Sequence, residues 1–260
     1  MVEIALLLLL GAFSGFIAGL LGVGGGLIMV PALLYLLAGG VDQTVLMHTA
    51  VGTALAAIVF TSISSVRAHH QHGAIQWHNF KKLTPTILLG AFSGALLTKV
   101  MSFDFMRIFF ALFEFGVAAI MYFGLSSSAH VDHLGRWVWR VTGYIIGLVS
   151  AIVGIGGGTM TTPFLTYNNV DIKNAIATSA AVGMPIAIAG ALGFIVAGWN
   201  IENTASGLGF IHTEALISIV VMSVLFAPLG AKVAHRADGK KLKKFFAIFL
   251  AFLGLTVINF

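Results

Sequence analysis

The chain has 260 residues, 58% hydrophobic and only 9% charged, with a mean hydropathy of +1.01. A water-soluble domain of this size is about a quarter charged, so the composition excludes an ordinary soluble fold and suits lipid as the solvent. The net charge of +5 does not mark a nucleic-acid partner, because the 14 Lys and Arg fall in short loops between apolar runs, as membrane topology requires; the absence of cysteine excludes disulfides, thiolate metal sites and thiol-based sulfur relays.

Apolar runs predict elements near 4–38 (interrupted), 44–66, 80–101, 104–124, 138–167 (interrupted), 174–198, 212–235 and 243–259. Most reach the roughly 20 residues that cross ~30 Å of hydrocarbon. Helix is the expected form, since backbone groups in lipid must be satisfied within the segment or by a closed barrel. A barrel would alternate, and runs such as Ala247–Val257 do not. The first run, Ile4 to Leu21, lacks a basic leader and a small-residue cleavage site, so it is read as mature structure.

The chain repeats itself. Gly15 to Gly26 (GFIAGLLGVGGG), ending at Pro31, parallels Gly147 to Gly158 (GLVSAIVGIGGG), ending at Pro163, with Tyr35 and Tyr167 in the same register. Ala50-Val51-Gly52 parallels Ala181-Val182-Gly183, and Gly94-Ala95 before Arg107–Phe110 resembles Gly230-Ala231 before Lys243–Phe246. One unit of about four helical elements therefore occurs twice, at 1–128 and 136–260, in a single membrane domain. The period, about 132 residues, is far longer than that of a helical solenoid. Duplicated halves with paired glycine-interrupted segments are a transporter signature.

Charge decides how the halves face. If each interrupted segment crosses the membrane once, the basic residues split nine against five. If each enters, turns at its glycines and leaves on the same side, one face holds Arg67, Lys81, Lys82, Arg136, Arg140, Lys173, Lys232, Arg236, Lys240, Lys241, Lys243 and Lys244, and the other holds only Lys99 and Arg107. The second arrangement fits the positive-inside rule. It predicts an all-α integral membrane protein of two inverted repeats, the first element of each broken at a re-entrant, glycine-rich turn, with both termini on the non-cytoplasmic side of the cell membrane.

The breaks themselves, Gly22-Val-Gly-Gly-Gly26 and Gly154-Ile-Gly-Gly-Gly158, place four glycines in five positions. Each costs a helix about 1 kcal/mol against alanine, so the helix should unwind there. The helices restarting at Leu27 and Thr159 would present N-termini, with unpaired N–H groups and roughly half a positive charge, to an anion held without any basic side chain. The plainer explanation, close helix packing by small residues, suits isolated pairs such as Gly15 and Gly19 but accounts poorly for a recurrent triplet. A phosphate-binding Walker loop is excluded because neither break ends in Gly-Lys-Ser/Thr.

At these motifs the sequence resembles the TauE/SafE (TSUP) family of sulfite exporters. The resemblance rests on Gly22–Pro31 (GVGGGLIMVP), Gly154–Pro163 (GIGGGTMTTP), Ala177–Gly198 (ATSAAVGMPIAIAGALGFIVAG) and Pro228–Arg236 (PLGAKVAHR), and extends over nearly the whole chain. It implies a permease for sulfite, organosulfonates or related oxyanions and carboxylates, with no prosthetic group. Ala54 stands where Ser is common in the family, which removes one hydroxyl after Thr53.

Several polar residues lie in apolar runs, where side chains of this kind usually face the bundle interior. Thr159, Thr161 and Thr162 follow the second break where Leu27, Met29 and Val30 follow the first; their hydroxyls either bond an oxyanion or bond back to the preceding turn. Thr178-Ser179 and His48-Thr49 hold matching places, for ligand or for packing. Glu114, the carboxylate well inside an apolar run, is a candidate proton carrier, or a hydrogen-bonding partner for a neighbouring helix. His69-His70-Gln71-His72, with His78, reads as a solvated basic loop rather than a metal site, as do His130 and His133. Lys240–Lys244 reads as an anchor to anionic lipid, and Trp77, Trp137, Trp139 and Trp199 as interfacial belt residues.

The sequence thus predicts a secondary transporter, not an enzyme, working by alternating access without a cofactor or a metal. The substrate-binding candidates are Gly24, Gly25, Gly26, Gly156, Gly157, Gly158, Thr159, Ser179, Thr53 and His48, with Glu114 for proton coupling. The partners are a small anion and the lipid bilayer, with a homodimer left open. The alternative is a cation or metal permease using the histidine tracts.

Overall fold

The computed structural model describes residues 2–21, 24–124, 135–199, 201, 208–234 and 239–260. Among them lie ten helices: α1 Val2–Leu21, α2 Gly26–Leu36, α3 Gln43–Gln71, α4 Trp77–Thr98, α5 Phe103–Phe123, α6 Arg136–Val153, α7 Gly158–Tyr167, α8 Ile172–Gly198, α9 Thr213–Ala234 and α10 Gly239–Ile258. Five contain spans long and apolar enough to cross a membrane: Val2–Leu20, Gln43–Gln71, Phe103–Phe123, Ile172–Gly198 and Thr213–Gly230. The chain is therefore membrane-embedded. Large apolar side chains such as Leu9, Leu112, Phe123 and Phe252 stand exposed on its outer faces, where lipid is the solvent.

The two sequence copies fold alike. Helix lengths run 20, 11, 29, 22 and 21 residues in α1–α5 and 18, 10, 27, 22 and 20 in α6–α10. At 1.5 Å per residue, α2 and α7 are about 16 and 15 Å long, half a bilayer core. The same local signal starts each long central helix: the Asp42 carboxylate accepts from Thr44 N–H at 2.8 Å, and the Asp171 carboxylate from Lys173 N–H at 2.9 Å.

Packing also exchanges between the halves. α1 lies along α9 and α4 along α6, whereas α3 packs on α8 and α5 on α10. Gly11 abuts Ile219 and Gly15 abuts Ser223, so α1 and α9 run parallel; Gly143 abuts Leu83 and Gly147 abuts Ile87, so α4 and α6 do too. Gly52 meets Phe194 and Gly190 meets Leu55, so α3 and α8 are antiparallel. Lys244 over Tyr122 and Gly254 against Phe115 make α5 and α10 antiparallel. The loops before α4 and α9 cross over in the same sense: Gln76 N–H donates to Thr178 Oγ and His212 N–H donates to Thr53 Oγ, each at 2.9 Å.

Two local expectations need correcting. His69, His70 and Gln71 are the last turn of α3 rather than a loop, because the helix continues far enough for Val66 to pack on Ile75, Ala177 and Ala181. Trp139 is buried rather than interfacial; its ring meets Phe164 edge-on at 5.0 Å and carries Lys82 Nζ over its face. Trp77, Trp137 and Trp199 are exposed. His130, His133 and Arg236 lie outside the described residues.

Candidate functional site

Both glycine breaks interrupt the helices, and the restarted helices begin on the same N-cap conformation. The N-cap of α2 is Gly25 at φ 78°, ψ −8°, and that of α7 is Gly157 at φ 74°, ψ −7°. This left-handed region is where glycine is at home and other L-residues are strained. Neither cap has a side chain, so nothing covalently attached satisfies the first N–H groups of α2 and α7, which no helical carbonyl can accept. Gly22 and Val23 lie outside the described residues.

The breaks meet each other. A methyl group at the Cβ position of Gly24 would lie 3.3 Å from the backbone of Gly156, its counterpart in the repeat, and one on Gly26 would collide with the Gly154 carbonyl oxygen. Gly183 of α8 presses on the Gly156 carbonyl in the same way. Only glycine allows three backbones to approach this closely. Beside the contact lies a cavity of about 20 Å³, room for one water molecule. Gly24, Gly156 and Gly183 form its floor, and Ala18, Ile58, Thr61, Ser62 and Ser65 its wall toward the C-terminal end of α3. Among the described residues no Lys or Arg lines it. On the opposite side, toward the start of α3, the space is filled: Phe210 is buried against Gly52 and Phe194, and its ring stacks on His48 at 4.9 Å.

The anticipated polar residues divide around this centre. Ser179 lies one turn before Gly183 and is hydrogen bonded to Thr162 of α7 at 2.7 Å, tying α8 to the restarted helix. Thr159 lines a different space, an apolar groove with Phe113, Gly116, Val117 and Thr142 between α5, α6 and α7. Thr53 and His48 are held by the far side: the Thr53 hydroxyl accepts from His212, and His48 Nε2 donates to the Thr98 carbonyl at 2.9 Å. Glu114 is wholly buried on α5, with neither carboxyl oxygen hydrogen bonded; the corresponding residue of α10 is Leu250, equally buried. Among the described residues no three His, Asp or Glu side chains gather as a metal site requires.

Sequence reasoning passed over Ser150. It is fully buried in the last turn of α6, its hydroxyl has no hydrogen-bond partner, and the same is true of Thr161 on α7. The signal was present in the repeat, where Ser150 aligns with Ala18. Phe210 was also missed, since it lies in a short segment outside the periodic runs.

Helices of membrane-crossing length, doubled in sequence and joined at touching glycine segments, define a polytopic membrane protein with the paired, glycine-interrupted halves of a transporter. The chain belongs to the sulfite exporter TauE/SafE family, whose model matches residues 7–257, and it is a transmembrane transporter of that family. It is 37% identical to a probable membrane transporter protein of Haemophilus influenzae, over 98% of this chain and 97% of that one. It is 26% identical to probable membrane transporter protein MJ0441 of Methanocaldococcus jannaschii (97% and 94%) and 29% identical to probable membrane transporter protein YdhB of Bacillus subtilis (99% and 100%). No solved structure matches the chain.

Proposed function

We propose that the protein is a secondary permease that carries a small sulfur oxyanion or organic anion, such as sulfite or a sulfonate, between the two glycine breaks. The observation that carries this reading is the contact of the two glycine breaks, Gly24 against Gly156 and Gly26 against Gly154, each break ending in a side-chain-free helix N-cap, Gly25 or Gly157. Each restarted helix contributes about half a positive charge and bare N–H donors. Gly24–Gly26 and Gly156–Gly158 would hold the anion, and Ser179 would fix α7 beside it. Thr159 faces a neighbouring groove, so its part would require α7 to rotate. His48 and Thr53 support the Phe210 side and fit the closing of that side better than direct contact with the guest.

The halves are read as inverted in the membrane. Antiparallel α3–α8 and α5–α10 pairs, with parallel α1–α9 and α4–α6 pairs, are what a two-fold axis in the membrane plane would produce. Because α6 runs with α4 and α8 runs against α3, the α6–α7 unit enters and leaves on the face bearing Lys81, Lys82 and Arg136. By the same reasoning α1–α2 enters and leaves on the other face. Both termini then lie outside. Since the chain has no cysteine, single replacements give clean labels: Val100→Cys and Phe260→Cys should react with an impermeant maleimide from outside the cell. Protection of Phe260→Cys there would reject this topology.

Transport is tested in proteoliposomes with labelled sulfite, a sulfonate and a divalent metal as separate cargoes. Anion flux that is lost in Gly25→Val and Gly157→Val is expected; metal flux without anion flux would overturn the proposal. Glu114 is the proposed carrier of a coupling proton, because a carboxyl group without any partner is costly to keep charged in the hydrocarbon interior. Glu114→Gln should abolish the response of flux to an imposed pH gradient and leave anion exchange down its own gradient intact.

A further inference from the structure

The two helix N-caps, Gly25 and Gly157, share a backbone conformation but not a lining. A methyl group at the Cβ position of Gly157 would sit 3.5 Å from Thr161 Oγ and 3.7 Å from Ser150 Oγ. Both hydroxyls belong to fully buried residues, neither has a hydrogen-bond partner, and they flank the same uncapped N-terminus of α7. Around Gly25 the matching neighbours are the Met29 methyl at 3.3 Å and the Ala18 methyl at 3.5 Å. Ala18 is the repeat counterpart of Ser150, and Met29 that of Thr161. One half-site therefore offers two idle hydroxyls beside bare amides, and its mirror offers two methyl groups and the Ser14 carbonyl oxygen, at 3.0 Å, with no side-chain hydroxyl among these neighbours.

Resting on the anion-transport reading above, we infer that the guest binds in one orientation: its oxyanion head at Ser150, Thr161 and the Gly157 N-cap, and an apolar tail toward Ala18 and Met29. Buried hydroxyls without partners are rare, because each forfeits a hydrogen bond it would have made in water. An oxyanion supplies the missing acceptors, and the amides of α7 supply charge complementarity. Ile186 Cδ1 closes over Gly157, so its side chain must turn aside when the head enters.

Charge sets a second limit. Among the described residues, none that lines the cavity on the Ala18 side of the breaks is cationic, and two helix N-termini together supply only about one positive charge. A monoanion is matched; a dianion leaves one charge buried and unpaired, which is strongly unfavourable. The preferred class is therefore a singly charged sulfonate or carboxylate with a short alkyl tail, and sulfate should be excluded.

The test is ligand binding to the purified full chain in nanodiscs, with methane-, ethane- and butanesulfonate, acetate, butyrate and sulfate as probes. Wild type should bind the longer-tailed monoanions more tightly and sulfate undetectably. Ser150→Ala and Thr161→Val should each weaken all the monoanions about tenfold, the size of one hydrogen bond to a charged group, and Thr161→Ser should restore binding. Met29→Thr should flatten the dependence on tail length and spare acetate. Melting temperatures of the ligand-free variants show whether each has folded; if Ser150→Ala has not, Thr161→Val against Thr161→Ser decides alone. Unchanged affinity in folded Thr161→Val, with binding lost in Gly157→Val, would mean that the hydroxyls hold only a buried water and would overturn this inference while leaving the glycine-break site standing. Unchanged binding in Gly157→Val would remove both. Tight sulfate binding would overturn the charge limit.

Discussion

Glycine does two different jobs in two regions of this molecule. Along the α1–α9 and α4–α6 contacts it lies within regular helices, at positions such as Gly15 and Gly147, where a Cβ would run into the backbone of the neighbouring helix. At the central breaks, Gly24, Gly25 and Gly157 hold left-handed φ values of 84°, 78° and 74°. The first job is about distance and is shared with alanine-sized residues elsewhere in membrane proteins. The second is about backbone conformation, and only glycine adopts it at little cost. Substitution at the periphery should therefore loosen a contact, whereas substitution at the centre should change which way the chain turns.

The largest effect is expected at the centre. Gly157→Ala puts a methyl group on a left-handed residue, at roughly 1–2 kcal/mol, and drives it into Ile186. Gly26→Ala meets the Gly154 carbonyl, which is backbone and cannot rotate away. Both variants should lose anion flux by more than tenfold in proteoliposomes, with Gly26→Ala also melting at a clearly lower temperature. Wild-type flux in Gly26→Ala would show that the breaks need not touch, and the contrast between the two regions would lose its central term.

An intermediate effect is expected at the periphery. Gly147→Ala should push α6 from Ile87 and Ala91 of α4, an overpacking cost of about 1–3 kcal/mol. The thermal midpoint should fall, while flux per folded molecule stays near wild type. A variant that melts normally but transports poorly would place Gly147 with the central glycines instead.

How much of this was legible beforehand follows from the same contrast. Helix positions came from runs of apolar residues, which need no partner to be read, so α5 and α8 begin and end within a residue or two of the expected 104–124 and 174–198. The breaks were legible because four glycines in five positions defeat a helix on local grounds alone. What could not be read was which face of a helix each hydroxyl would take. Thr159 and Thr161 are two residues apart, about 200° around a helix at 3.6 residues per turn, and only Thr161 turns to Gly157 while Thr159 lines the groove beside Phe113. Ser150 looked unremarkable because a single serine in an apolar run carries no period. Thr53 and His48 lie on the expected helix, but the group that donates to Thr53 and the ring that stacks on His48 are on a loop more than a hundred residues away, at His212 and Phe210.

The smallest effect sharpens the comparison from the other side. Gly116 lies in the interior of α5 with a right-handed backbone, and a Cβ there would meet nothing within 4 Å. Neither job applies to it. Glycine in a helix interior is about 1 kcal/mol worse than alanine when nothing else constrains it, so Gly116→Ala should leave flux unchanged and raise the thermal midpoint slightly. It borders the groove that Thr159 lines, so the substitution also asks whether that groove takes part in transport. If Gly116→Ala impairs flux without lowering stability, a third role for glycine exists in this protein, and α7 rotating into the groove would be its natural cause.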